Sequence, residues 1–251
     1  MIFTADEGIQ ALRDIIYSLE TWEVGGIRCS VGMYLLCKYI REQTDTVVIF
    51  SGEGSDELCQ GYINFKLAPS PEEADAESRR LLKDLQFFDV LRCDRCTAAH
   101  GLELRVPFLD VQFTSYFLSL PPELRQPKDG IEKFLLRASF EGTGALPDDI
   151  LWRAKEGFLD GVSSTEPGQT WCDMLKNHFE NLIPDEAMAT ADELYPNNTP
   201  NTKEALYYRQ VFEEFFPGQS HLIPHYWTAK WINSFDPSAR TWRNYKCGIH
   251  K

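Results

Sequence analysis

The stretch Thr46-Val47-Val48-Ile49-Phe50 is followed directly by Ser51-Gly52-Glu53-Gly54-Ser55-Asp56-Glu57, and together these residues decide the predicted fold. The first five form a short run, rich in β-branched residues and apolar without alternation. Such a run is typical of a strand buried on both faces of a parallel sheet. In open α/β sheets, ligands collect at the carboxyl ends of strands. We therefore predict an α/β domain with a candidate site at residues 51–57.

Helical patterns surround this strand. Thr4 and Glu7 have the spacing of a capping box, and apolar residues recur after them at helical spacing. The sequence predicts further helices over Val31 to Arg41, Pro71 to Leu91, Asp110 to about Leu118, Gly130 to Phe140 and Trp171 to Phe179. The chain after residue 58 is thus predicted to be a helical layer continuous with the sheet, and residues 1–251 to form one domain.

Composition narrows the class of protein. The net charge of −13 argues against binding along a nucleic-acid backbone, which needs a basic surface. Apolar runs such as Val47 to Phe50 are too short to cross a bilayer, and no signal peptide is visible. Seven scattered cysteines fit a reducing compartment, and we interpret Cys93-x-x-Cys96 as thiols on a helix rather than a zinc or redox site. We expect a cytosolic protein without a membrane or nucleic-acid partner.

The loop at 51–57 is the most informative candidate for chemistry. Two glycines allow close approach of a ligand to the backbone, and Glu53, Asp56 and Glu57 place three carboxylates within five residues. Such a group needs a cation, and magnesium is the usual one beside phosphates. The alternative is a solvated turn whose acidic residues favour a helix N-terminus.

Two later stretches add candidates. Asp89 and Arg92 share a helical face, and arginine binds phosphate or carboxylate bidentately, although a surface ion pair would show the same spacing. Lys155 lies among aromatic residues and glycines outside any clear helix, where it could meet a charged ligand or simply be a surface lysine.

Taken together, the three stretches resemble the asparagine synthetase family in order and spacing. The resemblance covers essentially the whole chain and rests on SGEGSDE (51–57), HGLELRVPFLD (100–110), WRAKEGFLDG (152–161) and a tail from Trp231 that includes Asp236-Pro-Ser-Ala-Arg240. It implies a partial adenine-nucleotide α-hydrolase-like (PP-loop ATPase) parallel sheet with a large helical C-terminal portion.

The resemblance also implies a reaction. The family is a carbon–nitrogen ligase that activates the side-chain carboxylate of aspartate with MgATP, and ammonia then displaces AMP from β-aspartyl-AMP to give asparagine. The implied roles are nucleotide contacts at Ser51 and Gly52, the catalytic carboxylate Glu53, a magnesium–pyrophosphate ligand at Asp56, aspartate or pyrophosphate contacts at Glu57, Asp89 and Arg92, and a charge-neutralising catalytic lysine at Lys155.

Two features of the family have no counterpart in residues 1–50. These are the N-terminal glutaminase domain, which supplies ammonia from glutamine and begins with Cys where this chain has Ile2, and the pyrophosphate loop SGGxDS. We expect this chain alone to form no asparagine. The alternatives are an inactive truncated isoform that associates with full-length synthetase or with itself, a gene fragment or incomplete gene model, and a β-lactam synthetase-like ligase, against which RVPFLD and the tail argue.

Overall fold

The computed structural model describes residues 1–239 except 165 and 167, so Arg240 of the tail motif lies outside the described residues. Helices dominate this part of the chain. The α-helices are α1 (Ala5–Gln10), α2 (Leu12–Leu19), α3 (Val24–Gln43), α4 (Ser55–Leu58), α5 (Pro71–Asp84), α6 (Asp89–Ala98), α7 (Val111–Ser119), α8 (Pro122–Arg125), α9 (Phe134–Ala138), α10 (Asp148–Leu151), α11 (Phe158–Gly161), α12 (Trp171–Leu182), α13 (Asp185–Ala189), α14 (Ala191–Leu194) and α15 (Lys203–Phe215). Short 3₁₀ helices span Ile63–Leu67, Leu85–Phe87, Pro107–Leu109 and Ser220–Leu222.

The strands β1 (Val48–Phe50) and β2 (Glu103–Arg105) form a small parallel sheet. The strand predicted at 46–50 is confirmed over Val48–Phe50 only. The prediction that it is buried on both faces is wrong, since Val48 is 43% exposed and Phe50 76%. Full burial needs neighbouring strands and helices over both faces, and within the described residues β1 pairs with β2 alone. The chain is therefore α/β in class but mostly helical.

The described residues divide into two compact units, each made of three chain segments. Unit 1 comprises Met1–Ile49, Phe87–Leu104 and Gly157–Trp227. Unit 2 comprises Phe50–Gln86, Arg105–Glu156 and the described residues from Thr228 onward.

Unit 1 is built around the apolar faces of four helices. Residues of α2, α3, α12 and α15 bury their side chains in one core, which includes Leu12, Ile15, Ile16, Leu19, Ile27, Val31, Leu175, Phe179, Tyr208 and Phe212. The predicted capping box is confirmed, because the Glu7 N–H donates to Thr4 Oγ1 at 3.2 Å and the Thr4 N–H to Glu7 Oε2 at 2.7 Å. The N-terminal helix is broken at Ala11 into α1 and α2.

A buried ion pair joins α3 to α15 inside unit 1. The Arg28 guanidinium donates to both Glu204 carboxylate oxygens at 2.8 and 2.6 Å, and each side chain is 2% exposed. The Tyr208 hydroxyl also donates to Glu204, at 2.9 Å. Because a buried charge is tolerated only when paired and hydrogen-bonded, this contact ties the two helices together.

Unit 2 has two smaller apolar clusters. One contains Leu58, Cys59 and Phe117, and the other contains Phe65, Ala74 and Leu81 with Trp231 packed against it. The helix predicted from Asp110 is confirmed as α7, with the Asp110 carboxylate accepting the Phe113 N–H at 2.9 Å.

Other helix predictions were partly wrong in extent. The helix predicted over 71–91 ends as α5 at Asp84, and α6 begins after Phe88, whose φ of −129° and ψ of −104° are not helical. The helix predicted over 130–140 is reduced to α9, because Gly130 and Lys133 have φ values of +77° and +55°. Cys93 and Cys96 are buried on α6, where burial raises the pKa of the Cys96 thiol to about 12. No helix in the described residues is long and apolar enough to span a membrane.

Candidate functional site

The loop after β1 turns sharply into α4. The Ser51 N–H donates to the Arg105 carbonyl oxygen at 2.9 Å, which fixes the start of the loop. Gly54 then adopts a φ of +84°, and a Cβ at this position would collide with the Leu109 side chain. A glycine is therefore required where the chain reverses, and the turn places Ser55, Asp56 and Glu57 in the first turn of α4.

Gly52 borders open space on its Cβ side. Among the described atoms, a Cβ built there would meet nothing within 4 Å. A ligand could therefore approach the backbone closely beside Ser51 and Glu53, both of which are partly exposed.

Asp56 forms salt bridges with two lysines that are distant in sequence. Lys133 Nζ lies 2.8 Å from Asp56 Oδ1, and Lys155 Nζ lies 3.0 Å from Asp56 Oδ2. Burial raises the pKa of the Asp56 carboxyl, but the two ammonium groups outweigh burial and hold the pKa below its ordinary value. The two ammonium groups are charged hydrogen-bond donors of the kind that also bind phosphate.

Gly61 allows this arrangement. A Cβ at Gly61 would collide with Asp56 Oδ1 and Lys133 Cε. The Gly61 N–H also donates to the Asp56 carbonyl oxygen at 2.8 Å, so the chain after α4 folds back tightly against Asp56.

Lys155 lies outside regular structure, as predicted, between α10 and α11. Its backbone N–H donates to Glu132 Oε1 at 2.5 Å. Glu132 is 5% exposed and is also paired with Lys66 Nζ at 2.9 Å. Burial raises the pKa of Glu132, but the bonds from Lys66 and from the Lys155 N–H offset burial, and the pKa is lowered.

Glu57 is buried beside the same cluster. The Tyr62 hydroxyl donates to Glu57 Oε1 at 2.5 Å, and Lys155 Nζ lies 6.0 Å from the centre of the Tyr62 ring. Ser55 Oγ accepts a hydrogen bond from Lys133 Nζ at 3.0 Å. Tyr62 therefore lies against both a predicted substrate contact and the predicted catalytic lysine.

Asp89 and Arg92 belong to unit 1, on α6. Arg92 Nη2 lies 3.0 Å from Asp89 Oδ1, so the predicted pairing on one helical face is confirmed. Arg92 is 3% exposed, and its guanidinium carbon lies 5.9 Å from the centre of the Phe158 ring. Arg92 is thus buried, whereas Asp89 remains partly exposed.

Unit 2 brings together Asp56 and Lys155, which the sequence had proposed from separate stretches, and it adds residues that the sequence had missed. These are Gly61, Tyr62, Glu132 and Lys133. No spacing rule connects Lys133 with Asp56, and the pattern over 130–140 predicts a regular helix. The one signal in the sequence is that Glu132 and Lys133 stand side by side shortly after Gly130.

Comparison with known proteins identifies the family to which the chain is similar. The family model described as asparagine synthase matches residues 1–80 and 66–243. The chain is 60% identical over 246 residues to the asparagine synthetase [glutamine-hydrolyzing] of Cricetulus griseus, which covers 98% of this chain and 44% of that protein. The corresponding proteins of Gallus gallus and Homo sapiens are each 58% identical, over 251 and 249 residues. The chain spans 44% of the length of each of these two proteins as well.

Proposed function

Because the chain belongs to the asparagine synthase family, we propose that its site serves the ATP-dependent conversion of aspartate to asparagine. The observation that carries this proposal is Asp56 held between Lys133 and Lys155 at 2.8 and 3.0 Å. The reaction has two steps. The aspartate side-chain carboxylate attacks the α-phosphorus of ATP and releases pyrophosphate, and ammonia then attacks the acyl carbon of β-aspartyl-AMP and releases AMP.

The lysine pair suits the first step. Negative charge accumulates on the departing pyrophosphate, and a cation placed there in advance contributes several kcal/mol of transition-state stabilisation. Lys155 and Lys133 supply such cations from a partly buried position, where charge is screened less than on the surface.

Each Asp56 oxygen is paired with a lysine ammonium group, so magnesium would enter together with phosphate and in place of one of these lysine contacts. Mg²⁺ usually takes one or two carboxylates together with phosphate oxygens and water. Asp56 offers one carboxylate, and no three His, Cys, Asp or Glu side chains in the described residues form a metal cage. When bound, the ion would supply further neutralisation of phosphate charge, with Asp56 as its protein ligand.

The remaining roles follow from the motifs. Ser51 and Gly52 would contact the nucleotide, and Glu57, Asp89 and Arg92 would contact aspartate or pyrophosphate. Glu53 would support acyl-adenylate formation and accept a proton as ammonium becomes ammonia, a task suited to a positioned carboxylate. We also propose that residues 1–251 form one family domain with a fold of the PP-loop type. Glutamine would be the nitrogen source in the longer family context. The protein would be cytosolic and would pair with itself or with full-length synthetase.

The test is product formation in the family's full-length context. This chain replaces the matching residues of the Cricetulus griseus synthetase, and asparagine and AMP are measured with aspartate, MgATP and ammonium. We expect equal amounts of the two products and a large loss with Lys155→Ala, but not with Lys230→Met, a surface lysine of unit 2 paired with Glu73. Failure of the unsubstituted chimaera would contradict the proposal. The 251-residue chain, assayed alone in parallel, separates an active chain from an inactive interaction partner.

A further inference from the structure

The segment that carries Lys155 has no helix or strand to fix its backbone. Residues 153–157 are irregular, and the Lys155 N–H donates to Glu132 Oε1 at 2.5 Å. A hydrogen bond to a charged acceptor is stronger than one to a neutral acceptor, so this contact can hold a loop in place.

Glu132 is itself held rigidly. Lys66 Nζ lies 2.9 Å from Oε2, and Arg137 Nη2 lies 3.6 Å from Oε1. Arg137 Nε donates to the Glu132 carbonyl oxygen at 2.9 Å, and the same guanidinium donates to the carbonyl oxygen of Leu151, the last residue of α10. The acceptor for Lys155 is therefore fixed on both its side chain and its backbone.

The residue next to Glu132 completes the arrangement. Lys133 has a φ of +55°, a left-handed conformation that is costly for a residue with a Cβ. This turn places its ammonium 2.8 Å from Asp56 Oδ1. Two consecutive residues thus set both cations: Lys133 supplies one, and Glu132 holds the backbone of the residue that supplies the other.

We propose that Glu132 is a positioning residue that acts through Lys155, setting its ammonium opposite Asp56 so that two cations converge on one bound pyrophosphate. The part that concerns pyrophosphate rests on the proposed function, whereas the part that concerns the Lys155 backbone does not. The competing interpretation is that Glu132 merely stabilises unit 2 through its pair with Lys66.

Amide hydrogen exchange of Lys155 in the full 251-residue chain tests the backbone part. Glu132→Ala removes the acceptor, and Glu132→Asp keeps the charge for Lys66 but draws the oxygen back by one methylene. Both should speed exchange at Lys155 by roughly tenfold or more, the order expected for a lost bond to a charged group. Glu132→Gln keeps an oxygen within reach and should retain most of the protection.

The matched control is Glu77→Gln. Glu77 is another buried carboxylate of unit 2, paired with Arg80 at 2.7 Å, and its substitution should leave Lys155 exchange unchanged. Unchanged Lys155 exchange in the Glu132→Asp variant would overturn the proposal. Glu132→Asp also keeps the test decisive if Glu132→Ala does not fold.

A double-mutant cycle with magnesium pyrophosphate tests the functional part. Calorimetry on the chimaeric synthetase should show Glu132→Ala weakening binding roughly tenfold, and Glu132→Ala should have no further effect in a Lys155→Ala background. Additive losses would show that Glu132 acts independently of Lys155 and would overturn the proposal. If the unsubstituted chimaera binds no pyrophosphate, the proposed function fails, and the exchange measurement still decides the positioning role.

Discussion

At the scale of single residues, the site depends on groups whose charges balance only in combination. Asp56 is partly buried, and an unpaired carboxylate there would be costly. Its two lysine partners come from later parts of the chain, Lys133 from a turn and Lys155 from an irregular segment. The chemistry proposed for each residue can therefore be tested by changing one group at a time.

Glu53 should be needed for chemistry but not for stability. In the chimaeric synthetase, we expect Glu53→Gln to lower ammonia-dependent asparagine formation by roughly 10²–10⁴-fold, the usual range for a positioned acid–base group. The melting temperature should barely change, because Glu53 lies partly exposed in the loop after β1. Glu141→Gln, an exposed glutamate of unit 2, is the control. Near-normal turnover of the Glu53→Gln enzyme would remove Glu53 from the catalytic residues.

Lys155 should act on phosphate rather than on aspartate. We expect Lys155→Ala to impair aspartate-dependent exchange of pyrophosphate into ATP by roughly 10²-fold or more, as for the loss of one transition-state contact. Lys155→Arg should restore only part of the rate, because a planar guanidinium does not reproduce a compact ammonium. Exchange at the normal rate in the alanine variant would assign Lys155 to a structural pair with Asp56.

The sequence predicted the site residues that lie within contiguous motifs but not their partners. Ser51 to Glu57 carry a recognisable pattern of glycines and acids, and Lys155 stands out among its aromatic neighbours. Lys133 joins the site only because the chain returns to α4, which no local period records, and Glu132 comes with it as the neighbouring residue. Lys133 was also hidden by its unusual backbone, since a positive φ at lysine is not expected from composition.

At the scale of helices and strands, local signals predicted beginnings better than ends. The cap at Thr4 and the cap at Asp110 were correct, because one side chain satisfies orphan N–H groups in its own first turn. The start of α3 was missed, since a buried glutamate, Glu23, caps it ahead of a pair of glycines. Strand β2 was missed because three residues within a longer motif are too few to show alternation.

The contact between α3 and α15 gives a prediction at this scale. Arg28→Met leaves the Glu204 carboxylate buried without its ionic partner, and we expect the free energy of unfolding to fall by about 3–5 kcal/mol. The double variant Arg28→Met/Glu204→Leu should recover most of this loss, because it removes both charges. Urea titration of each variant measures the difference.

The surface pair of Arg13 with Glu214 is the matched control. Their side chains are 47% and 57% exposed, so Arg13→Met should cost about 1 kcal/mol or less. Equal losses from Arg28→Met and Arg13→Met would contradict the idea that burial makes the α3–α15 pair important.

At the scale of the whole molecule, charge and chain path matter most. The excess negative charge of −13 is self-repelling in the compact state, and at 0.1 M salt the repulsion between exposed charges more than about 10 Å apart is largely screened. Raising NaCl from 10 to about 150 mM should therefore raise the melting temperature by about 2–4 °C, the equivalent of roughly 1 kcal/mol for a chain of this length. KCl should act equally, because screening depends on ionic strength. A fall in melting temperature would show that surface ion pairs dominate over net charge.

The segments of the two units alternate along the chain, and this has a consequence during synthesis on the ribosome. Ile15 and Ile16 on α2 need Tyr208 and Phe212 on α15 to complete their shared core. A ribosome adding 5–20 residues per second delivers α15 roughly 10–40 seconds after α2 leaves the exit tunnel. Apolar collapse takes microseconds, whereas the apolar face of α2 stays exposed on the nascent chain for many seconds. Segments of unit 2 emerge within this interval. A chaperone that covers α2 until translation reaches α15 would prevent aggregation through this exposed apolar face.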